Sequence, residues 1–227
     1  MSDIWMLDEL DRDGAIQEAA AQVDPTTRAA FLKKAGIGLG AVAGGSAFLG
    51  AVPSLASAAT RVSASDVAIL NFALTLEYLE ASFYAEAITN GKVFNGETQN
   101  FARIVAAHEA AHVKALKSAL GTKAVAKPKF DFRDTTSDQT KFEATATVLE
   151  DTGVQAYLGQ VGNIKSPAIL AAAGSILPVE ARHAAWIRDI RLMKTQGTIP
   201  APAAFQSSKT KAEVLAAVAK TQFIVPS

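Results

Sequence analysis

The sequence predicts an all-α fold, a four-helix bundle, on three observations. Four long stretches from about Ser65 to Gln196 carry apolar residues at helical spacing and end at glycines. No segment shows the two-residue alternation of a strand. Links within the first and second pairs of helices are short, whereas a polar, proline-bearing connection from Thr122 to Ser137 separates the pairs. The chain has 227 residues, 49% hydrophobic and 19% charged, enough for one bundle with a sizeable core.

The first predicted helix runs from Asp66 to Asn90, with Ser65 or Asp66 as N-cap and Gly91 after its last turn. Glu97 to Leu120 follows and stops at Gly121. After the long connection, in which DFRDT at 131–135 is too polar and too short for a strand, Asp138 to Val161 forms the third helix and Gly162 closes it. The fourth runs from Ser166 to about Gln196. Pro178 lies inside it and removes a backbone donor, so a kink or bulge is expected there rather than a break. Beyond Pro200 and Pro202 a short fifth helix begins at a T-x-x-E capping box, Thr210 to Glu213.

The organisation divides into 1–59, 60–200 and 201–227: a leader with a signal-like or anchor segment, the bundle, and the short helix with its tail. Residues 35–60 carry no charge, follow Lys33 and Lys34, and contain the small-x-small triplet Ala56-Ser57-Ala58. Thr27 to Lys33 resembles a twin-arginine export motif with Ala29 in place of the second arginine. The leader before it holds seven acidic residues against Arg12, which is unusual for a signal. The expectation is an exported or envelope-associated protein, with a cytoplasmic one as the alternative and membrane attachment only if the segment stays uncleaved. Twenty-two basic residues balance twenty-two acidic ones, which gives no support for nucleic-acid binding. The lack of cysteine excludes disulfides, thiolate catalysis and iron–sulfur clusters.

The chemistry resides in repeated letters. Of three histidines, two follow a glutamate by three residues: Glu109–His112 in HEAAH and Glu180–His183 in VEARH. On a helix such a pair shares one face, so a carboxylate and an imidazole converge on one point, as transition-metal ligands do. The first helix has no Lys or Arg, yet Glu77 and Glu80 lie among Leu74, Leu76, Leu79 and Phe83. A carboxylate buried there needs a cation or a proton. On the third helix Glu143 and Glu150 are seven residues apart, on one face. Glu109 is 32 residues after Glu77 and Glu180 is 30 after Glu150, which puts each pair at one height in a hairpin. Glu80, 29 before Glu109, fits that spacing equally well.

These pieces, Glu77, Glu109-Ala-Ala-His112, Glu150 and Glu180-Ala-Arg-His183 in that order, resemble the ferritin-like di-iron superfamily. LEYLEASFY, with Tyr84 seven after Glu77, and His183-Ala-Ala-Trp186 are similar to bacterioferritin-type helices, and the Tyr84 register selects Glu77 over Glu80. More closely, the chain resembles the ferritin-like family that includes plant desiccation-related proteins and exported bacterial relatives, over about Asp66 to Met193. The resemblance implies a ferritin-like bundle holding two iron or manganese ions, with Glu77, Glu109, His112, Glu150, Glu180 and His183 as ligands. Glu109 and Glu180 would bridge, and Tyr84, Glu80 and Glu143 would orient ligands. It further implies Fe(II) oxidation by O2 or H2O2, or manganese-based peroxide disproportionation, in oxidative or desiccation stress, with homo-oligomers compatible with the fold.

Two other readings stay open. A bundle with a vestigial site would act as a non-enzymatic stress protectant. His108-Glu109-Ala110-Ala111-His112 also spells the H-E-x-x-H of zinc peptidases, in which both histidines bind zinc; the di-iron reading leaves His108 outside the site.

Overall fold

The computed structural model describes residues 62–90, 94, 96–195 and 199–225, and all of them belong to one compact unit. The leader, the twin-arginine-like motif and the signal-like stretch 35–60 lie outside the described residues. The elements in order are α1 (Ala64–Asn90), α2 (Gly96–Leu120), β1 (Lys129–Phe130), α3 (Gln139–Val161), α4 (Pro167–Thr195), α5 (Lys211–Thr221) and β2 (Ile224–Val225). Helix α1 packs along α2 and α3 along α4, and the pairs close into a bundle through α2 with α4 and α1 with α3. Among the described residues no helix is long and apolar enough to cross a membrane.

Local chemistry sets the helix ends. Ser63 caps α1, its hydroxyl accepting the Asp66 amide at 3.0 Å. The expected caps Ser65 and Asp66 lie inside the helix, because Asp66 has a different partner. Its buried carboxylate accepts the amides of Lys165 (2.9 Å) and Ser166 (3.1 Å), which precede α4. The first helix thereby satisfies donors at the open end of the fourth. Gly121 ends α2 at φ +54, a conformation that favours glycine. Asp138 caps α3 through the Lys141 amide at 2.9 Å, and the Thr210–Glu213 capping box opens α5.

Helix α4 continues through Pro178 without a bulge. The amide that proline lacks would have bonded the carbonyl of Gly174, and both residues are exposed, so water can satisfy that oxygen.

The paired strands β1 and β2 were not foreseen. Each has two residues, too few to show alternation, and they pair antiparallel across nearly a hundred residues of sequence. Asp131 extends the ladder by donating its amide to the Phe223 carbonyl at 2.9 Å. The middle connection is further held by Asn71 of α1, which accepts the Val125 amide (2.8 Å) and donates to the Lys123 carbonyl (2.9 Å). Gly159 of α3 admits the segment before α5: a Cβ there would sit 1.9 Å from the Lys209 carbonyl oxygen.

The core has two apolar clusters. One gathers Phe83, Tyr84, Phe101, Phe132 and Phe142 with Val214, Val218 and Phe223 from the C-terminal segment. In it Phe83 and Phe142 stack at 5.2 Å, and Tyr84 meets Phe101 and Phe142 edge-on. The other gathers Leu70, Leu74, Leu116, Tyr157, Ile169 and Ile176. Helix α2 leaves the first cluster at Val105 and joins the second at Leu116, while α4 leaves the second at Ile176 and joins the first at Ile187. The level between them holds Glu109, His112, Glu180 and His183, all buried.

Replacing Asp66 by alanine strands two backbone donors at the entry to α4. We expect a loss of about 1–3 kcal/mol, read as a lower urea midpoint with an unchanged slope; an unchanged midpoint would remove Asp66 from the account.

Candidate metal centre

Each helix of the bundle supplies carboxylates to the level between the apolar clusters. Three-residue spacing turns Glu109 and His112 of α2 inward together, and likewise Glu180 and His183 of α4. Glu77 comes from α1 and Glu150 from α3, both fully buried. These six residues form two overlapping groups whose ligand atoms all lie within 4.8 Å of one another: Glu77, Glu109, His112 and Glu180 in one, and Glu109, Glu150, Glu180 and His183 in the other. Glu109 and Glu180 occur in both.

The imidazoles present Nδ1 to the carboxylates. His112 Nδ1 lies 3.2 Å from Glu109, 3.3 Å from Glu77 and 3.1 Å from Glu180. His183 Nδ1 lies 3.1 Å from Glu109 and 3.3 Å from Glu150, but is aligned for a hydrogen bond with neither. Also without a hydrogen-bond partner are Glu77 Oε2, Glu109 Oε1, Glu150 Oε2 and both oxygens of Glu180. A buried acceptor left unpaired costs about 1–3 kcal/mol, and more when charged. Apart from Glu180 Oε2, these oxygens meet only an imidazole Nδ1 at 3.1–3.3 Å without hydrogen-bond alignment, and such a concentration of acceptors without aligned donors fits cation binding. Four carboxylates and two imidazoles suit iron or manganese.

The remaining oxygen of each outer carboxylate is held from the opposite helix. Tyr84 of α1 donates to Glu150 Oε1 on α3, and Tyr157 of α3 donates to Glu77 Oε1 on α1. Burial and the neighbouring carboxylates push both phenols well above their ordinary range, so they remain donors. Tyr157 was missed in the sequence, although it follows Glu150 by the seven residues that separate Tyr84 from Glu77.

The other expected helpers divide. Glu80 belongs to this level: a Cβ on Gly153 would lie 3.1 Å from Glu180 Oε2 and 3.2 Å from Glu80 Oε1, so the bare glycine leaves room for both carboxylates. Burial, and after it the neighbouring Glu180, push Glu80 well above the usual carboxylate range. Glu143 does not belong there. Seven residues along α3 from Glu150 is roughly 10 Å of rise, and Glu143 instead accepts from Thr98 (2.6 Å) and Gln139 (3.0 Å) near the helix start. His108, expected to stand apart, puts Nδ1 2.9 Å from His183 Nε2. It joins neither candidate ligand group, so the zinc-peptidase arrangement, which needs His108 and His112 on one ion, finds no support among the described residues.

Charge balance within the cluster is uneven. Burial would raise Glu109, but the His112 and His183 imidazoles outweigh it and hold the carboxyl far below its usual range. Burial raises Glu77 to about 7 despite the pull of His112. Glu180 is pushed well up by burial and by Glu109. Burial opposes charge on His183, yet Glu109 and Glu150 bring it to about 10.

The sequence profile of the ferritin-like domain family matches residues 65–192, more than half of the chain, and the match spans all six residues of the two groups. No curated protein matches the chain.

These shifts set the stability of the metal-free protein. His183, raised from 6.5 to about 10, adds stability that is complete below pH 6.5 and lost as pH rises through 10. Glu77, raised from 4.5 to about 7, adds an ionisation penalty that accumulates between those values. Glu109 is held low and is ionised, folded or unfolded, above its ordinary 4.5, so it adds no slope there. Chelator-treated protein should therefore lose thermal stability steadily from about pH 5 to pH 10; a midpoint that rises over this range would contradict the arrangement.

Proposed function

The chain belongs to the ferritin-like domain family, and from that premise we propose that it holds two redox-active divalent ions, iron or manganese, and uses them to consume O2 or peroxide. The observation that carries this reading is that two four-residue groups share Glu109 and Glu180 and differ in Glu77 with His112 and Glu150 with His183. Such a pattern fits two adjacent ions with two carboxylates in common.

Within this reading Glu109 and Glu180 would serve both ions, Glu77 and Glu150 would serve one each, and His112 and His183 would offer Nδ1. Two divalent ions carry four positive charges against these four carboxylates, so binding would offset the burial and the mutual repulsion that raise Glu77 and Glu180. When bound, an ion pair of this kind can each give up one electron, so an oxidant is reduced by two electrons at one place. Tyr84 and Tyr157 fix the outer carboxylates so that each turns its free oxygen inward. Phe83, Phe101 and Phe142 on one side and Leu74, Ile169 and Ile176 on the other keep water from the cluster. Burial and the neighbouring Glu180 favour the neutral form of Glu80, so it is not counted among the ligands. The signal-like stretch 35–60 and the family resemblance support an exported protein that acts in oxidative or desiccation stress.

Elemental analysis of variants tests the sharing directly. Glu109→Ala or Glu180→Ala should lose both ions, whereas Glu77→Ala or Glu150→Ala should keep about one. Two ions per chain retained in Glu109→Ala would sink the reading. Loaded wild-type protein should accelerate Fe(II) oxidation by O2 or H2O2 or consume peroxide; metal without either activity would favour a protectant with a vestigial site.

A further inference from the structure

His183 uses its two ring nitrogens differently. Nδ1 faces Glu109 and Glu150, and Nε2 faces Nδ1 of His108 at 2.9 Å. The two rings lie nearly parallel, 17° apart, with centroids 5.1 Å from each other. An imidazole that offers Nδ1 to a cation carries its proton on Nε2, and a buried N–H needs an acceptor. His108 Nδ1 is that acceptor, which leaves the His108 proton on its own Nε2. His108 is exposed, so its Nε2–H can be satisfied by water.

Among the described residues the other half of the cluster shows no such imidazole pair. His108 stands one residue before Glu109 and four before His112. The same register in α4 is Val179, one before Glu180 and four before His183. Valine has no hydrogen-bonding side chain. The two E-x-x-H halves are therefore alike in their inward-facing groups and unlike in what stands behind them.

We propose that His108 is a positioning residue that fixes the tautomer and ring plane of His183, and thereby tightens the metal position formed by Glu109, Glu150, Glu180 and His183. This rests on the two-ion reading above. Outer partners of a ligating histidine commonly contribute about 10–100-fold in affinity. The effect falls on one position, so the two ions are held with unequal strength and the His183 side depends on a residue outside the ligand set.

The test is titration of the chelator-treated full chain with Mn(II), followed by the electron paramagnetic resonance signal of the free ion, and with Fe(II) in the absence of oxygen. Wild-type protein should bind two ions. His108→Leu should weaken one position about 10–100-fold and leave the other unchanged. His108→Asn, whose side-chain oxygen can take the place of Nδ1, should restore nearly the wild-type affinity, which a merely steric role would not predict. Nitrogen NMR of ring-labelled histidine in the metal-free protein should show His108 protonated on Nε2 and bare on Nδ1. Two unchanged positions in His108→Leu, an Asn variant as weak as the Leu variant, or a proton on His108 Nδ1 would overturn the inference alone. Wild-type protein that binds neither ion would overturn the two-ion reading and this inference with it.

Discussion

Glu77, Glu80, Glu109, Glu150 and Glu180 share one buried level of a bundle whose α1 has neither lysine nor arginine. Carboxylates packed this closely repel one another, and desolvation strengthens the repulsion. The protein moderates that cost without removing it. His112 and His183 hold Glu109 ionised, Glu80 and Glu180 are pushed toward the protonated form, and Glu77 sits near neutrality. Five buried carboxyl groups at one level make physical sense if the cluster is completed by positive charge.

The scaffold is arranged around that level. The apolar cluster on one side supplies Tyr84 and the one on the other supplies Tyr157, and each phenol crosses to the carboxylate of the opposite helix. The packing that stabilises the fold thus also orients the outer ligand candidates. Asp66 ties the start of α1 to the start of α4, and the β1–β2 pair draws the C-terminal segment onto the middle connection, where Phe132 and Phe223 meet at 5.2 Å. The result is a closed bundle with an inner polar layer of approximate two-fold character, broken at His108 and Val179.

Helix positions and the two E-x-x-H pairs were legible in the sequence because both follow from local rules: helical periodicity, glycine and capping signals, and a three-residue spacing that fixes a shared face. Spacing left Glu77 and Glu80 equal, and only the family resemblance selected Glu77. Non-local partners were not legible. Asp66 looks like an N-cap until Lys165 and Ser166 come beside it, and two-residue strands carry no periodic signal. Tyr157 was readable in principle, since the seven-residue step from Glu77 to Tyr84 recurs from Glu150. Glu143 lies on the same face as Glu150, and only the axial distance along α3 separates their roles. The di-iron reading left His108 outside the site; its partner, His183, lies on another helix.

Anomalous diffraction at the iron and manganese absorption edges, from crystals of the full chain expressed with both metals available, decides whether the buried carboxylates surround two metal ions. Two peaks per chain are expected, one among Glu77, Glu109, His112 and Glu180 and the other among Glu109, Glu150, Glu180 and His183. A cluster without anomalous density, or a single zinc ion held by His108 and His112, would contradict the two-ion reading.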